Sequence, residues 1–165
     1  RISRAIPSHV GIGRPSTTGF SVDVYMSRNP LETHRMLRRV SEALDGEEVR
    51  SFGHYDQTVL EKQMQMNRVS PPDADWTNIR NTRDVGNDSL RDLEERLGVG
   101  RDPSLQGEEV PRKVYDAMYG WSQRSTMHRV ARYNASDVYS AFLVDQRSDE
   151  RSSSDAYTPQ DEAPF

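Results

Sequence analysis

The scarcity of apolar side chains is the feature that most limits what this 165-residue chain can fold into. Only 33% of its residues are hydrophobic, and adding its 10 glycines still leaves it short of the roughly 45–50% that is typical of globular domains. A domain of about 150 residues normally buries roughly 68–70% of the surface of its unfolded chain. We therefore expect one small core with extended segments attached to it.

The first segment, residues 1–18, is basic and contains Arg1, Arg4 and Arg14, with Asp23 as the first acidic residue of the chain. Arginine-rich, serine-rich and acid-poor composition is typical of mitochondrial transit segments. One interpretation is a mature mitochondrial protein that begins just after a cleaved presequence, and the alternative is an ordinary basic arm. We predict an extended N-terminal arm over residues 1–18.

The last segment, residues 146–165, is polar and acidic, and such a segment buries too little apolar surface to order itself. We predict an extended C-terminal tail that neighbouring proteins hold, with Tyr157 and Phe165 as anchors. Between the two arms, residues 19–145 are predicted to form a small α+β domain.

The start of this domain alternates apolar and polar residues over 20–26, which predicts a half-buried strand. Asn29-Pro30 then predicts the start of a helix, which Asp45-Gly46 ends. Residues 48–52 suit a second strand, so the order resembles the beginning of a βαβ or split-βαβ unit. The helix residues predicted to face inward are Leu31, Met36, Leu37, Val40 and Leu44.

Further along, helices are predicted over residues 57–67 and 89–97, and a fourth helix from Pro111. The helix over 89–97 is predicted to be capped by Asp88 or Ser89 and ended by Gly98. Residues 71–87 are predicted to be a loop that docks through Trp76 and Ile79. Alternation over residues 138–144 predicts a last strand. Three short strands with about four helices indicate an α+β fold with a small βαβ-like core.

No residue pattern predicts a catalytic, cofactor or metal site. The chain has no cysteine, which excludes thiolate nucleophiles and cysteine metal ligands. The four histidines are scattered, and His54 with Asp56 reads as a local polar turn. Other weak patterns are better explained by loops and caps: they are Asp73-Ala-Asp75, the acids from Asp84 to Glu95, Gly11-Ile-Gly13, Gly98-Val-Gly100 and the glycosylation sequons at Asn87 and Asn134.

Contacts with partners are predicted for a few aromatic and basic residues. Trp121 and Arg124 belong to a small basic–aromatic patch suited to phosphates, RNA or anionic lipid head groups. Because the net charge is −4, acidic groups of a neighbouring subunit are the favoured partner, and nucleic acid is less favoured. The predicted partner-binding residues are Arg1, Arg4, Arg14, Trp76, Trp121, Arg124, Tyr157 and Phe165.

These features predict a non-catalytic accessory subunit that bridges other subunits of a large organellar assembly. The expected setting is a mitochondrial inner-membrane complex, either a respiratory complex or the ATP synthase, on its matrix side or periphery. No apolar run approaches the roughly 20 residues that span a bilayer. The alternatives are an organellar ribosomal or other RNA-associated subunit, and an extracytoplasmic domain of an exported or membrane protein.

Overall fold

The computed structural model describes residues 9–28, 30–82, 86–100 and 123–155. Within these ranges the chain has four strands and five helices, which confirms the predicted α+β class. The strands form two separate two-stranded sheets. In chain order the elements are β1 (His9–Ser16), β2 (Gly19–Met26), α1 (Pro30–Leu44), β3 (Glu48–Ser51), α2 (His54–Met66), β4 (Asp75–Asn78), α3 (Ile79–Thr82), α4 (Leu90–Leu97) and α5 (Gln123–Asp155).

The first sheet is an antiparallel hairpin of β1 and β2, with His9 opposite Met26 and Ser16 opposite Gly19. The strand predicted over residues 20–26 is confirmed as β2. Half of the segment predicted to be an N-terminal arm is strand β1, in which Val10 and Ile12 alternate with two glycines. Two apolar side chains give a weak period-2 signal, so the sequence alone did not reveal this strand.

The second sheet pairs β3 and β4 in parallel, with Glu48 opposite Asp75 and Ser51 opposite Asn78. Helix α2 connects them, so the βαβ unit is β3–α2–β4 and not the elements of residues 20–52. Strand β2 pairs with β1 instead, because a two-residue turn closes a hairpin at a small cost in entropy. The predicted loop over residues 71–87 is wrong in part, since it contains β4 and α3.

The main core lies under α1 and α2, and both sheets contribute to it. Val10, Ile12 and Tyr25 of the hairpin pack against it, as do Val49 and Trp76 of the parallel pair. Its buried members are Met36, Leu37, Val40, Leu44, Leu60, Met64 and Val69.

Leu31 of α1 was predicted to join this core, but it is 91% exposed. Nine residues separate Leu31 from the buried Val40, and nine residues are two and a half turns of an α-helix. The two side chains therefore lie on opposite faces of α1, so the inward prediction for Leu31 is wrong.

Helix α5 spans 33 residues and includes residues 138–144, so the strand predicted there is wrong. Alternation over seven residues is too short to separate a strand from a buried helix segment. Residues 146–155 of the predicted tail are helical as well. The start of the helix predicted from Pro111 lies outside the described residues. No helix in the described part of the chain is both long and apolar enough to cross a membrane.

Two polar contacts and a small apolar cluster hold α5 in place. Arg50 Nη1 of β3 lies 2.9 Å from Asp145 Oδ2, and Arg147 Nη1 donates to the Leu97 carbonyl at 2.6 Å. The cluster joins Val144 to Leu93 and Val99. The Arg147 hydrogen bond and the apolar cluster join α5 to α4.

Helix α4 has the ends that the sequence predicts. Ser89 and Asp92 form a reciprocal capping box, and Gly98 ends the helix in the left-handed conformation, with φ of 66°.

Candidate functional site

The candidate site is an open cavity of about 710 Å³ where strands β3 and β4 end. One wall is formed by the residues after β3, which are Phe52, Gly53 and His54. The other wall contains two residues that come after β4, Arg80 and Asn81. Because the strands are parallel, their carboxyl ends meet at the same edge of the sheet. Ligands of open α/β sheets bind outside this edge, so the cavity lies where such a fold places a site.

Arg80 is the one arginine or lysine among the described residues that line the cavity, and its position is fixed by three contacts. Its backbone N–H donates to Asn78 Oδ1 at 3.0 Å, and its guanidinium lies 4.6 Å from the centre of the Phe52 ring. Its Nη1 atom donates to the Gly86 carbonyl at 3.4 Å, a long hydrogen bond. Among the described residues no carboxylate forms an ion pair with Arg80, which leaves most of its donors for another group.

Neutral donors surround this cation. His54 Nε2 lies 3.3 Å from Asn81 Nδ2, and a donating amide there requires a neutral imidazole with its proton on Nδ1. Helix α2 begins after Gly53, and no side chain caps its first turn. The first backbone N–H groups of a helix have no partner within the helix. The wall formed by α2 therefore offers backbone donors to the cavity.

A second group of titratable side chains lies beside the cavity and joins three elements. Burial raises the pKa of Asp56 in α2, and the negative charge of Asp137 in α5 raises it further. Burial lowers the pKa of His9 in β1, and Asp137 opposes that change.

A metal centre has no support in the described ranges. No three His, Asp or Glu side chains there lie close enough together to hold a metal ion. Asp73 instead donates its backbone N–H to Asp45 Oδ1 at 2.9 Å, and Asp75 opens β4. Asp88 pairs with Arg96 at 2.7 Å, and Asp84 lies outside the described residues.

Two of the predicted partner-binding side chains contact their own chain. Arg14 Nη2 donates to the Ala43 carbonyl at 2.8 Å, and its Nη1 lies 3.7 Å from Glu47 Oε1, so it fastens β1 to the end of α1. Trp76 is half-buried against the main core. Their contacts with partners stay a prediction. Arg124 lies in α5, where its side chain is not described, and the remaining predicted residues lie outside the described ranges: Arg1, Arg4, Trp121, Tyr157 and Phe165.

The glycine pair of β1 allows α5 to approach the strand closely. A Cβ atom on Gly11 would lie 1.9 Å from Asn134 Oδ1, and one on Gly13 would lie 2.7 Å from Val138 Cγ1. Since only glycine leaves this space free, helix packing accounts for Gly11-Ile-Gly13 without a phosphate. The second such pattern is explained by Gly98, which ends α4.

The two glycosylation sequons differ in accessibility. Asn134 Oδ1 is buried without a hydrogen-bond partner and lies against Gly11, so a glycan there would displace α5 from β1. Asn87 is exposed at the rim of the cavity and has room for one.

Sequence reasoning missed the cavity because it missed strand β4. Only four residues form β4, so the sequence did not predict it. Without a second parallel strand there was no sheet edge to form a site, and His54 and Asp56 were interpreted as a local turn. The useful signal was Asp75-Trp-Thr-Asn78, a short alternation followed, after the buried Ile79, by Arg80 and Asn81. Comparisons with protein-family models, curated proteins and solved structures find no match to this chain.

Proposed function

We propose that this chain is a non-catalytic subunit that binds other proteins within a larger assembly. The observation that carries the proposal is the length of α5, whose described buried side chains end at Asp145. With 33 residues and a rise of about 1.5 Å per residue, the helix is roughly 50 Å long. An eight-residue strand of the hairpin spans only about 27 Å at 3.4 Å per residue.

The described side chains of α5 are buried over only part of the helix. Among its described side chains, the fully buried ones lie between Val130 and Asp145. The helix then continues to Asp155, and Gln146 and Glu150 are exposed. Ordering a residue costs about 1–2 kcal/mol of backbone entropy, and polar turns beyond the body offset little of this by apolar burial. Contact with another protein would stabilise them.

Large apolar side chains on α1 and α2 support the same proposal. Leu31 is 91% exposed, Tyr55 66% and Met66 53%. Tyrosine and methionine are enriched where proteins bind one another. These three side chains add little to the core of this chain, so they are available to a partner.

Mitochondria are the proposed location, on the composition of residues 1–18. The inner-membrane complex named above, a respiratory complex or the ATP synthase, is the proposed setting. Fractionation of cells that carry the tagged full-length protein tests this part separately. Recovery with the mitochondrial inner membrane is the expected result, and recovery in any other fraction contradicts the location while leaving the assembly proposal standing.

The assembly proposal is tested by isolating the tagged full-length protein from its own cells under native conditions. The expected particle is several times heavier than the 18.9 kDa of this chain and contains other proteins in fixed ratio. A particle that falls apart with ribonuclease supports the RNA-associated alternative. A free 18.9 kDa protein contradicts both proposals.

A matched pair of variants ties the assembly to the structure. Leu31→Ser changes an exposed side chain, so we expect the free energy of unfolding to change by less than about 0.5 kcal/mol while partner recovery falls. Glu42→Ser, on the same helix and 63% exposed at its side chain, is the control and should leave recovery unchanged. Equal recovery with both variants would remove Leu31 from the interface.

A further inference from the structure

We propose that the cavity at the carboxyl edge of β3 and β4 binds a phosphate group, with the Arg80 guanidinium as its principal contact. This site adds a small-molecule ligand to the protein-binding role, and the exposed Tyr55 belongs to both surfaces.

Arg80 supplies the charge and the geometry that a phosphate needs. A guanidinium presents five N–H donors in a planar fork that matches phosphate oxygens, and Arg80 uses one of them in a long hydrogen bond to the Gly86 carbonyl. The Phe52 ring lies against its face and leaves the edge, where the donors lie, uncovered. Arg80 is only partly exposed, so its charge is less screened than that of a surface arginine.

Other donors complete a ring around the same space. The amides of Asn81 and Asn87 line the cavity, and so do Gly53 and His54 at the uncapped start of α2. This helix has 13 residues, so its dipole adds a partial positive charge at that end. Backbone donors and an arginine together form a common arrangement for phosphate recognition.

The cavity is larger than a phosphate ion. Its volume of about 710 Å³ lies within the roughly 300–1,000 Å³ of small-molecule sites. Tyr55, which is 66% exposed, belongs to the lining and offers a ring face to the remainder of a ligand. Free phosphate and a phosphorylated small molecule share the chemistry that Arg80 recognises, and the experiment below separates these two sources.

Among the described residues that line the cavity, Asp56 is the one acidic side chain, and its ionised form repels an anion. Asp137 adds negative charge near Asp56, and His9 lies near Asp137. Replacing Asp56 by asparagine removes the nearest repulsion and keeps the size of the side chain. The proposal therefore predicts a variant that binds phosphate more tightly, an outcome that misfolding does not produce.

The experiment is an NMR titration of the full chain with inorganic phosphate, and separately with adenosine monophosphate, at constant ionic strength set by chloride. We expect saturable shifts at the amides of residues 53–56, 80 and 81. Arg80→Gln should weaken binding at least about tenfold, which corresponds to roughly 1.4 kcal/mol, and Asp56→Asn should tighten it. The control Arg91→Gln removes an arginine that is 79% exposed on α4 and should leave affinity unchanged.

Each result has a defined meaning. Tighter binding of the nucleotide than of phosphate, with the difference lost in Tyr55→Ala, supports a phosphorylated ligand, and equal affinities support free phosphate. The proposal is overturned when neither probe gives saturable shifts at the cavity, or when Arg80→Gln and Arg91→Gln weaken binding equally. Failure of Asp56→Asn to tighten binding also overturns it, whatever Arg80→Gln does to folding.

Discussion

Helix α5 meets the two sheets of this protein in two different ways. Against the hairpin the contact is close and largely apolar, because Gly11 and Gly13 place no side chain between strand and helix, and the rings of Phe20 and Phe142 stack at 4.3 Å. The charged Asp137 of α5 near His9 of β1 is a polar part of this contact. Against the parallel pair the contact is polar, since Arg50 of β3 reaches Asp145 of α5. Helix α5 is therefore held mainly by close packing on the hairpin side and by an ion pair on the side of the parallel pair.

The difference explains why the candidate site lies beside the parallel pair. Close apolar packing fills the space between α5 and the hairpin and leaves no room for a ligand there. On the other side, the Arg50–Asp145 ion pair and the packing of Phe52 near Val144 leave the carboxyl edge of the parallel pair open. The predictions that follow test this contrast and are ordered by the size of the expected change.

The largest effect is expected at the glycine contact. Gly11→Val places a branched side chain where a single Cβ already meets Asn134 at 1.9 Å and Val138 at 2.8 Å. We expect the free energy of unfolding to fall by about 3 kcal/mol, the upper end of the range for overpacked cores. Chemical denaturation measures the change. The control is Gly100→Ala, where no atom lies within 4 Å of the added methyl group, and a loss as large there would contradict the account.

The aromatic contact is expected to rank second. Phe142→Ala removes the ring that stacks on Phe20, and because Phe142 is only partly buried we expect a loss of about 2 kcal/mol, below the usual cost for a fully buried ring. Tyr139 contacts the same Phe20 ring at 5.4 Å but is 46% exposed. Tyr139→Ala should therefore cost less than Phe142→Ala, and the reverse order in thermal denaturation would show that this surface is packed differently.

The ionic contact is expected to be weaker than either apolar contact. Asp145→Asn removes the charge on a side chain that is 12% exposed, while its partner Arg50 is 45% exposed and stays solvated. We expect the free energy of unfolding to fall by about 1 kcal/mol. This difference between variant and parent should become smaller as salt is added. Glu48→Gln tests the outer partner of Arg50, which is 61% exposed, and should change stability by less than about 0.5 kcal/mol. A loss of 3 kcal/mol or more for Asp145→Asn, a size expected only of a buried pair, would abolish the contrast.

The smallest effect is a pH dependence centred on Asp137. Burial favours neutral His9 in the folded protein and lowers its pKa, so the unfolded chain binds a proton first as the pH falls. The free energy of unfolding should therefore decrease as the pH falls through 6.5, the ordinary value for histidine, towards the lower pKa of the folded state. His9→Gln should remove this part of the acid loss in denaturation experiments at several pH values.

Asp137→Asn provides the matched test of the same group. Without the negative charge of Asp137, the pKa of His9 should fall further, and the pKa of Asp56 should move down towards its ordinary 3.8. NMR titration of both side chains measures the two changes in one experiment. Unchanged values would show that α5 does not bring Asp137 near β1 and α2.

Local signals in the sequence predicted a good part of this fold. The helix start at Pro30, its end at Asp45-Gly46 and the cap at Ser89 depend on residues within one turn of each other, and these predictions are confirmed. Strand β4 and the contact of Gly11 with Asn134 depend on residues far apart in the chain. The residues next to a four-residue strand or a pair of glycines do not indicate which distant segment they contact. The cavity and the packing of α5 on β1 could therefore be found only from the structure.

The measurement that tests the central claim most directly is site-specific photocrosslinking at the exposed end of α5. A photoreactive residue replaces Gln146, which is exposed directly after Asp145, the last buried residue among the described side chains of α5, and a matched protein carries it at Glu95 of α4, which is 74% exposed at its side chain. The proposed role predicts that position 146 crosslinks to another protein in the cells that make this chain. Two results would contradict the proposed role. One is that position 146 crosslinks only to this chain itself, and the other is that it forms no crosslink and the protein has the size of a monomer.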